Sequence, residues 1–325
     1  MYILYHQINK REIMSKEKKS SITRKEFLKQ SAGIVAAGLI GSQTSTLFGT
    51  KSTILNNKPE LRVLGRTGIE VTPLCYGASR TMEPALVRAA LDKGINFIDT
   101  GRSYSNGENE IMLGKTLKGM RKDLVIQSKA RVRINEEEEQ LNTQSTRDKI
   151  YTILTTSLNE SLNALQTDYI DILLLHGIQS PDILLNDAVR DFFRTTKKSG
   201  KIRACGFSSH SNQVAVLKAA NENSFYDVVM VPYNHKGSFV HSLSSWYSEW
   251  DQPAVERELK KAADQNIGIV AMKTCSAGPY TPDPDTKPSY AHALKWVIEH
   301  PFVHSAAVAM ANFNEIEEDI QAMYE

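Results

Sequence analysis

Short apolar runs alternate with amphipathic stretches through most of the chain after residue 61. Eight of these apolar runs have the length and composition of buried strands. The predicted strands are Leu74–Ala78, Phe97–Thr100, Leu124–Lys129, Tyr169–His176, Ile202–Ser208, Val228–Asn234, Ile267–Thr274 and Ala306–Met310. Helical spacing fills the gaps near residues 85–93, 107–120, 148–165, 187–199, 212–221, 253–265 and 288–299, and again from Glu315 onward.

This alternation predicts the fold class. Continuous apolar strands separated by helices indicate an α/β protein whose parallel sheet is covered on both faces. Eight such units predict a closed (β/α)8 TIM barrel, and the run from Leu61 to Val71 predicts a β-hairpin before it. A doubly wound open sheet is the alternative, but no G-x-G-x-x-G motif follows an early strand. Without repeats or a long linker, residues 58–325 are predicted to form one barrel domain.

Residues 1–57 differ in character from the barrel and are predicted to be a leader with a linker. A basic segment begins at Met14, an alternative start to Met1, and the apolar run Ala32–Gly41 is too short to span a bilayer. Between them, Thr23-Arg-Lys-Glu-Phe-Leu-Lys29 resembles the twin-arginine export motif with Lys25 in place of the second arginine. We expect the twin-arginine machinery to export the folded protein to the periplasm or cell envelope.

Two alternatives for the leader stay open. An uncleaved segment would tether the protein to the membrane, and a protein whose Arg24-Lys25 variant is not used would stay in the cytoplasm. Composition adds little about partners, because 39 basic and 37 acidic residues leave a net charge of +2, which does not suggest a nucleic-acid partner. The three cysteines are far apart and form neither a disulfide framework nor a zinc pattern, so no metal site is predicted.

Ionisable side chains end three consecutive predicted strands. Asp99 ends the second, Lys129 the third and His176 the fourth, while Tyr104 follows the second by a short loop. Active sites of such barrels lie at the carboxyl ends of the strands, so these groups should meet at one mouth. A helix-capping Asp99 and a half-buried Tyr104 would explain that pair alone, but not the convergence of all four.

The four groups together suit proton donation by a tyrosine. A free phenol has a pKa of about 10, and a neighbouring ammonium lowers it by stabilising the phenolate. Lys129 would supply the ammonium, and Asp99 would keep it charged and oriented. His176 would donate a hydrogen bond that positions a substrate oxygen beside the Tyr104 hydroxyl.

At these residues the chain resembles the aldo-keto reductase family. The family motif D-T-A-x-x-Y is present as Asp99-Thr-Gly-Arg-Ser-Tyr104, and the family's lysine and histidine match Ser128-Lys129 and Leu173-Leu-Leu-His176. The resemblance continues through Gly200-Lys-Ile-Arg-Ala-Cys-Gly-Phe-Ser208 to Ala293-Leu-Lys-Trp-Val-Ile-Glu-His-Pro301. It implies an NAD(P)H-dependent oxidoreductase that reduces an aldehyde, ketone or sugar-like carbonyl, or oxidises the alcohol, with Tyr104 as general acid.

The same resemblance implies residues that bind the cofactor. Tyr233 would stack on the nicotinamide ring, although an aromatic plug in the barrel mouth is the alternative. Ser208 and Ser209 match the family's Ser-Asn pair that binds the carboxamide, with Ser209 in place of asparagine. Lys273, at the end of the seventh strand, would contact the pyrophosphate or simply be solvated.

One departure from the family affects the choice of cofactor. The family usually places cations after the eighth strand to bind a 2′-phosphate, but residues 309–319 contain no lysine or arginine. A carboxylate such as Glu318 would repel that phosphate and could accept hydrogen bonds from a free ribose hydroxyl. The cofactor is therefore NADP(H) or NAD(H), with NAD(H) favoured.

The substrate region leaves further questions open. Arg80, Arg102 and Arg131 follow the first three strands and would suit an anionic substrate, but exposed loop arginines need no function. Aromatic residues between His235 and Asp251 could form a pocket wall for a sugar or ring, or pack over the barrel rim. The alternative function is an exported barrel that holds a dinucleotide tightly as a redox-responsive binding subunit without steady turnover.

Overall fold

The computed structural model describes residues 59–134, 143–240 and 246–324. The predicted leader over residues 1–57 lies outside the described residues, as do residues 241–245 of the predicted pocket wall. The domain boundary at residue 58 therefore stays a prediction. Within the described ranges, no helix has both the length and the apolar character needed to cross a membrane.

Eight parallel strands close into a barrel, which confirms the predicted (β/α)8 fold. A short hairpin of β1 (Arg62–Val63) and β2 (Glu70–Val71) precedes them, and a second hairpin is formed by β9 (Ser238–Val240) and β10 (Tyr247–Glu249). The barrel strands are β3 (Leu74–Gly77), β4 (Phe97–Asp99), β5 (Val125–Ala130), β6 (Ile170–Leu175), β7 (Ile202–Ser208), β8 (Val228–Pro232), β11 (Gly268–Met272) and β12 (Ser305–Val308). They pair in chain order, and β12 returns to pair with β3.

Helices cover the outside of the barrel. The described part of the chain forms α1 (Pro84–Asp92), α2 (Glu108–Thr116), α3 (Gln144–Leu165), α4 (Pro181–Leu185), α5 (Asp187–Lys198), α6 (Gln213–Asn223), α7 (Gln252–Asp264), α8 (Tyr290–Ile298) and α9 (Phe313–Gln321). The longest, α3, begins at an N-cap in which the Thr143 side chain accepts a hydrogen bond from the Thr146 amide. Its buried residues include Ile150, Leu154 and Leu158, a four-residue spacing that faces the barrel.

The first hairpin fills the N-terminal end of the barrel. Leu64, Ile69 and Val71 belong to the same apolar cluster as the side chains inside the barrel. A Cβ on Gly65 would collide with the backbone at Gly268, so this close approach requires glycine. The hairpin therefore closes the end of the barrel opposite the predicted active site.

Side chains along each barrel strand alternate between the barrel interior and the helix layer. Phe97 and Met230 belong to the interior cluster, whereas Ile98 and Val229 pack in the cluster between the strands and the helices. A residue an even number of positions from Phe97 or Met230 therefore faces inward, and one an odd number away faces outward. This rule decides which strand-end residues can reach the barrel mouth.

Candidate active site

Asp99, Lys129 and His176 lie where three neighbouring strands end. Asp99 is the last residue of β4, Lys129 lies one residue before the end of β5, and His176 follows β6 directly. Their exposed fractions are 4%, 2% and 7%, so all three groups are buried. The structure brings them to one mouth, as the sequence predicted.

The Lys129 ammonium joins the Asp99 carboxylate to the Tyr104 phenol. Lys129 Nζ lies 2.5 Å from Asp99 Oδ1 and 3.1 Å from the Tyr104 hydroxyl. It also donates to the Thr100 carbonyl oxygen at 2.7 Å, so each ammonium proton has an acceptor. The Gln127 amide donates to the same Asp99 oxygen at 2.7 Å. Gln127 was not predicted as a site residue, although its position two residues before Lys129 places it on the inward face.

Tyr104 begins a strained turn that leads from β4 into α2. Ser105 and Asn106 have φ values of +48° and +54°, and Gly107 has a φ of +94°. Left-handed conformations cost non-glycine residues roughly 1–3 kcal/mol each, so other contacts must hold this turn. The φ of +94° favours glycine at position 107, and a Cβ there would also displace the Arg102 guanidinium.

A buried carboxylate on α2 supplies those contacts. Glu110 Oε2 accepts a hydrogen bond from Arg102 Nη1 at 2.6 Å, and Oε1 accepts one from Ser128 Oγ at 2.6 Å. Burial raises the pKa of Glu110, and its hydrogen bonds and the Arg102 charge oppose that rise. Arg102 also donates its backbone N–H to the Lys129 carbonyl oxygen at 3.1 Å. Glu110 thus connects the loop that carries Tyr104 to the strand that carries Lys129.

His176 lies beside Tyr104 as a neutral imidazole. The two ring centroids are 5.8 Å apart in an edge-on arrangement, and Ser103 Oγ lies 3.3 Å from His176 Nδ1. Burial lowers the pKa of His176 to about 2, helped by the charges of Lys129 and Arg131. We assign the Ser103 hydroxyl as the donor to Nδ1, which leaves the proton on Nε2. His176 can then donate a hydrogen bond from Nε2 to a substrate oxygen.

The pKa of Tyr104 is raised, which corrects the expected direction of its net shift. Burial raises the pKa of Tyr104, and the Lys129 charge opposes this without reversing it. Burial also lowers the pKa of Lys129, but the Asp99 carboxylate and the Tyr104 oxygen outweigh it, so the net pKa of Lys129 is raised. The phenol therefore keeps its proton, and the ammonium its charge, at neutral pH.

A cavity of about 380 Å³ opens beside Tyr104 and Asp99. This volume is within the usual range for small-molecule sites. Its charged and titratable lining residues are Arg80, Asp99, Tyr104, His210, Lys273, Cys275, Tyr290, Glu315, Glu318 and Asp319. The cavity therefore combines the predicted acid with two cations and a group of carboxylates.

Lys273 and Arg80 are the cations of this cavity. Lys273 follows β11 in a left-handed conformation, and its Nζ lies 5.2 Å from the centre of the Phe239 ring. Burial lowers the pKa of Lys273, and the Arg80 charge lowers it further, so the two cations face the same space. Lys273 is therefore half-buried at the cavity wall, whereas the sequence had left open a fully solvated lysine.

Carboxylates after β12 line another part of the cavity. Glu318 Oε1 accepts a hydrogen bond from the Tyr290 backbone N–H at 2.9 Å, and Glu315 Oε2 accepts one from the Ala311 N–H at 2.7 Å. Asp319 is 4% exposed, and burial together with the charges of Glu318 and Glu315 raises its pKa to about 7. Glu318, predicted to contact the cofactor, therefore lines the cavity together with Glu315 and Asp319.

Ser208 and Ser209 are fully buried and do not line the cavity. Ser208 Oγ accepts a hydrogen bond from the Gly177 N–H at 3.1 Å and donates one to the Leu175 carbonyl oxygen at 3.3 Å. Ser209 Oγ donates to the Ser211 carbonyl oxygen at 2.5 Å. The Ser208 hydroxyl thus joins the ends of β6 and β7, and the Ser209 hydroxyl bonds within its own loop, so the structure supports a structural role for them better than the predicted contact with a carboxamide.

Tyr233 faces away from the barrel mouth, which corrects its predicted stacking on a nicotinamide. Tyr233 lies three residues after the inward-facing Met230, so its side chain points into the helix layer. Its ring stacks on Trp296 with centroids 5.4 Å apart, and its hydroxyl donates to Glu256 Oε1 at 2.9 Å. Tyr233 is fully buried and cannot reach a ligand in the cavity.

The hairpin of β9 and β10 contributes to the rim of the cavity. Phe239 is buried, and its ring centroid lies 5.3 Å from that of Trp246 and 6.4 Å from that of Trp250. Val240 lines the cavity, while Trp246 and Tyr247 are 45% and 55% exposed. Packing therefore explains Phe239, and neither Trp246 nor Tyr247 is among the residues that line the described cavity.

Comparison with known proteins identifies the family that these features suggest. A model of the aldo/keto reductase family matches residues 77–292, which run from the end of β3 into α8. L-galactose dehydrogenase of Arabidopsis thaliana is 34% identical over 166 residues, which cover 46% of this chain and 49% of that protein. 6-Dehydroglucose reductase of Novosphingobium aromaticivorans is 32% identical over 178 residues, which cover 49% of this chain and 55% of that protein. The chain spans about half the length of the curated relatives it matches.

Solved structures share the fold at lower identity. An aldo-keto reductase from Bacillus halodurans, in its holo form, aligns with a TM-score of 0.65 at 21% identity, covering 82% of this chain and 91% of that one. An aldo-keto reductase from Klebsiella pneumoniae in complex with NADPH aligns with a TM-score of 0.58 at 21% identity, covering 81% and 89%. At these identities the likeness concerns the fold alone.

Proposed function

The chain belongs to the aldo/keto reductase family of oxidoreductases, and we propose that it transfers hydride between a nicotinamide dinucleotide and a carbonyl carbon. It would reduce an aldehyde, ketone or sugar-like carbonyl, or oxidise the corresponding alcohol, with Tyr104 as general acid. The observation that carries this proposal is the Lys129 ammonium, which lies 2.5 Å from Asp99 and 3.1 Å from the Tyr104 hydroxyl at the cavity wall.

In this proposal each side chain has a separate task. Reduction places negative charge on the carbonyl oxygen, and Tyr104 donates the proton that neutralises it. The positive charge of Lys129 stabilises the phenolate that remains, and Asp99 holds that charge in a buried setting. His176 donates a hydrogen bond that keeps the carbonyl oxygen beside the phenol. Because burial raises the pKa of Tyr104, the acid is in its protonated form at neutral pH.

The residues that line the cavity have the charges and hydroxyl groups that a dinucleotide would need. When bound, the nicotinamide supplies the hydride, which no protein side chain provides. Lys273 and Arg80 present two cations to the cavity and would bind the pyrophosphate. The Ser79, Thr274 and Ser276 residues that line the same space add hydroxyl groups. Residues that line this cavity therefore replace Tyr233, Ser208 and Ser209 as the cofactor contacts that the structure supports.

We further propose a preference for NAD(H) over NADP(H). Glu315 and Glu318 line the cavity after β12, and residues 309–319 contain no lysine or arginine. A 2′-phosphate near these carboxylates would be repelled, whereas a free ribose hydroxyl could donate a hydrogen bond to one of them. We expect Glu318→Arg to raise the ratio of NADPH to NADH affinity by roughly tenfold. Glu317→Arg is the matched control, because Glu317 pairs with Lys93 on the surface.

The central test measures turnover and cofactor binding in the full-length protein. Wild type should oxidise NADH or NADPH in the presence of a simple aldehyde, and Tyr104→Phe should abolish turnover while leaving the Kd of the dinucleotide within about twofold of wild type. Tight dinucleotide binding without turnover would favour the redox-responsive binding subunit. Binding of neither dinucleotide would rule out both functions.

We also propose that the twin-arginine machinery exports the protein with its cofactor bound. The segment Thr23–Lys29, followed by the apolar run Ala32–Gly41, supports this proposal. Lys25→Arg, which restores the paired arginines, should raise the fraction of protein found outside the cytoplasm, and Arg24→Gln should lower it. Equal cytoplasmic amounts of wild type and both variants would contradict export.

A further inference from the structure

The three arginines that follow the first three barrel strands have different surroundings. Arg102 is bound to the buried Glu110, and Arg80 lines the cavity near Lys273. Arg131 follows β5, is exposed, and forms no ion pair with any residue that the structure describes. Arg80 also forms no ion pair with a described residue, but it lies beside Lys273, whereas Arg131 lies beside the end of β6.

Arg131 lies beside Gly177, the residue that directly follows His176. A Cβ placed on Gly177 would lie 3.5 Å from Arg131 Nη2 and 4.0 Å from His210 Cδ2, so both side chains flank Gly177. The His210 ring centroid is 6.4 Å from that of His176, which is 5.8 Å from that of Tyr104. His210 lines the same cavity as Tyr104. Arg131, His176 and His210 therefore follow three adjacent strands, and the neutral His176 is the one that contacts Tyr104.

Among the residues that the structure describes, no carboxylate pairs with Arg131. Asp99 is the carboxylate closest to Tyr104 in the described site, and it is paired with Lys129. Glu315 and Glu318 belong to the segment after β12, which pairs with β3 and β11 on another side of the barrel. An anionic group on a substrate that extends from Tyr104 past the end of β6 would therefore meet the Arg131 charge.

We propose that the substrate carries a carboxylate, which Arg131 binds while the carbonyl lies at Tyr104. This inference rests on the proposed function, because it concerns a substrate of the same site. A guanidinium presents two parallel N–H donors that match the two oxygens of a carboxylate. Arg131 acts here as a specificity-determining residue, outside the group that moves the proton.

Matched aldehydes test this inference in the full-length protein. 4-Carboxybenzaldehyde and 4-nitrobenzaldehyde have similar shapes, but only the first carries a negative charge, and the 2-substituted pair places that charge closer to the carbonyl. The measured quantity is the ratio of kcat/KM for the carboxylate to kcat/KM for the nitro compound. We expect Arg131→Met to lower this ratio about tenfold for at least one pair, mainly through KM. Arg131→Lys should retain part of the preference.

Arg133→Met is the control, since Arg133 is also exposed and lies two residues away in the same loop. An equal fall of this ratio in Arg133→Met would show that any cation of the loop attracts the anionic substrate, and it would overturn the specific role of Arg131. An unchanged ratio in Arg131→Met, with the nitro compounds still reduced, would overturn the inference and leave the proposed function intact. Failure of wild type to reduce any of the four aldehydes would overturn both.

Discussion

At the scale of single residues, the site depends on a buried charge balance. Lys129 is 2% exposed, and its pKa stays raised only because the Asp99 carboxylate and the Tyr104 oxygen outweigh burial. The same ammonium offsets part of the effect of burial on the Tyr104 phenol. Asp99 and Lys129 therefore serve both folding and the proposed proton transfer, and a double variant can separate the two.

Lys129→Met should lower kcat by at least about a hundredfold, because the phenolate formed at Tyr104 loses its neighbouring charge. It should also lower the free energy of unfolding by about 3–5 kcal/mol, because Asp99 becomes a buried carboxylate without its counterion. Adding Asp99→Asn should restore most of the stability and none of the turnover. Urea unfolding and steady-state kinetics on the single and double variants measure both effects, with Lys93→Met as a surface control. Recovery of turnover in the double variant would contradict the role of Lys129.

Tyr233 matches a family motif, but its side chain faces the helix layer and not the barrel mouth. Tyr233→Phe removes the hydrogen bond to Glu256 and should cost about 1 kcal/mol of unfolding free energy, and Tyr233→Ala should cost about 3–5 kcal/mol. The Kd of NADH should be unchanged in Tyr233→Phe. Met230→Ala should weaken dinucleotide binding instead, because Met230 lies inward on the same strand and lines the cavity. Calorimetric titration would refute this assignment if Tyr233→Phe weakened binding more than Met230→Ala.

At the scale of secondary-structure elements, Glu110 couples α2 to two strand ends. Arg102→Met should loosen the strained turn that begins at Tyr104 and lower kcat roughly ten- to a hundredfold, with little change in the Kd of the dinucleotide. Arg102→Lys should recover part of kcat because it keeps the charge facing Glu110. Glu160→Gln is the control, since this exposed carboxylate lies 3.9 Å from Arg102 Nε. Equal losses of kcat in Arg102→Met and Glu160→Gln would count against a positioning role.

The sequence predicted the elements of the barrel more accurately than the orientation of the site residues. All eight barrel strands appear where continuous apolar runs predicted them, because these strands are buried on both faces. The hairpin of β9 and β10 was missed, since its residues are partly exposed and form no apolar run. The alternation of side chains along each strand could have predicted which residues face inward. That rule would have excluded Tyr233 from the predicted site residues and included Gln127. The ion pair between Arg102 and Glu110 could not have been predicted from the sequence, because it depends on how a helix packs against a loop.

At the scale of the whole molecule, the cavity concentrates negative charge at the last helix. Asp319 has a pKa of about 7 in the folded protein, above its value in the unfolded chain. The folded state therefore binds a proton more tightly, and wild-type stability falls as pH rises from about 4 to 7. Asp319→Asn should remove this loss. The free energy of unfolding of the variant should therefore exceed that of wild type by an amount that grows across this pH range to at most about 4 kcal/mol. Urea unfolding at pH 4.5 and pH 8 measures this difference in free energy of unfolding. An equal difference at both pH values would contradict the raised pKa of Asp319.

The pairing of the first barrel strand with the last has a consequence for the timing of synthesis. Leu74 of β3 lies opposite Ala306 of β12, so the barrel cannot close until nearly the whole chain has left the ribosome. The segment before residue 58 emerges about 250 residues earlier, which at ordinary rates of translation is roughly 10–50 s. An N-terminal signal would be exposed throughout that interval while the mouth that binds the cofactor did not yet exist. The export proposed above would therefore need a transport route that acts after translation and accepts finished molecules.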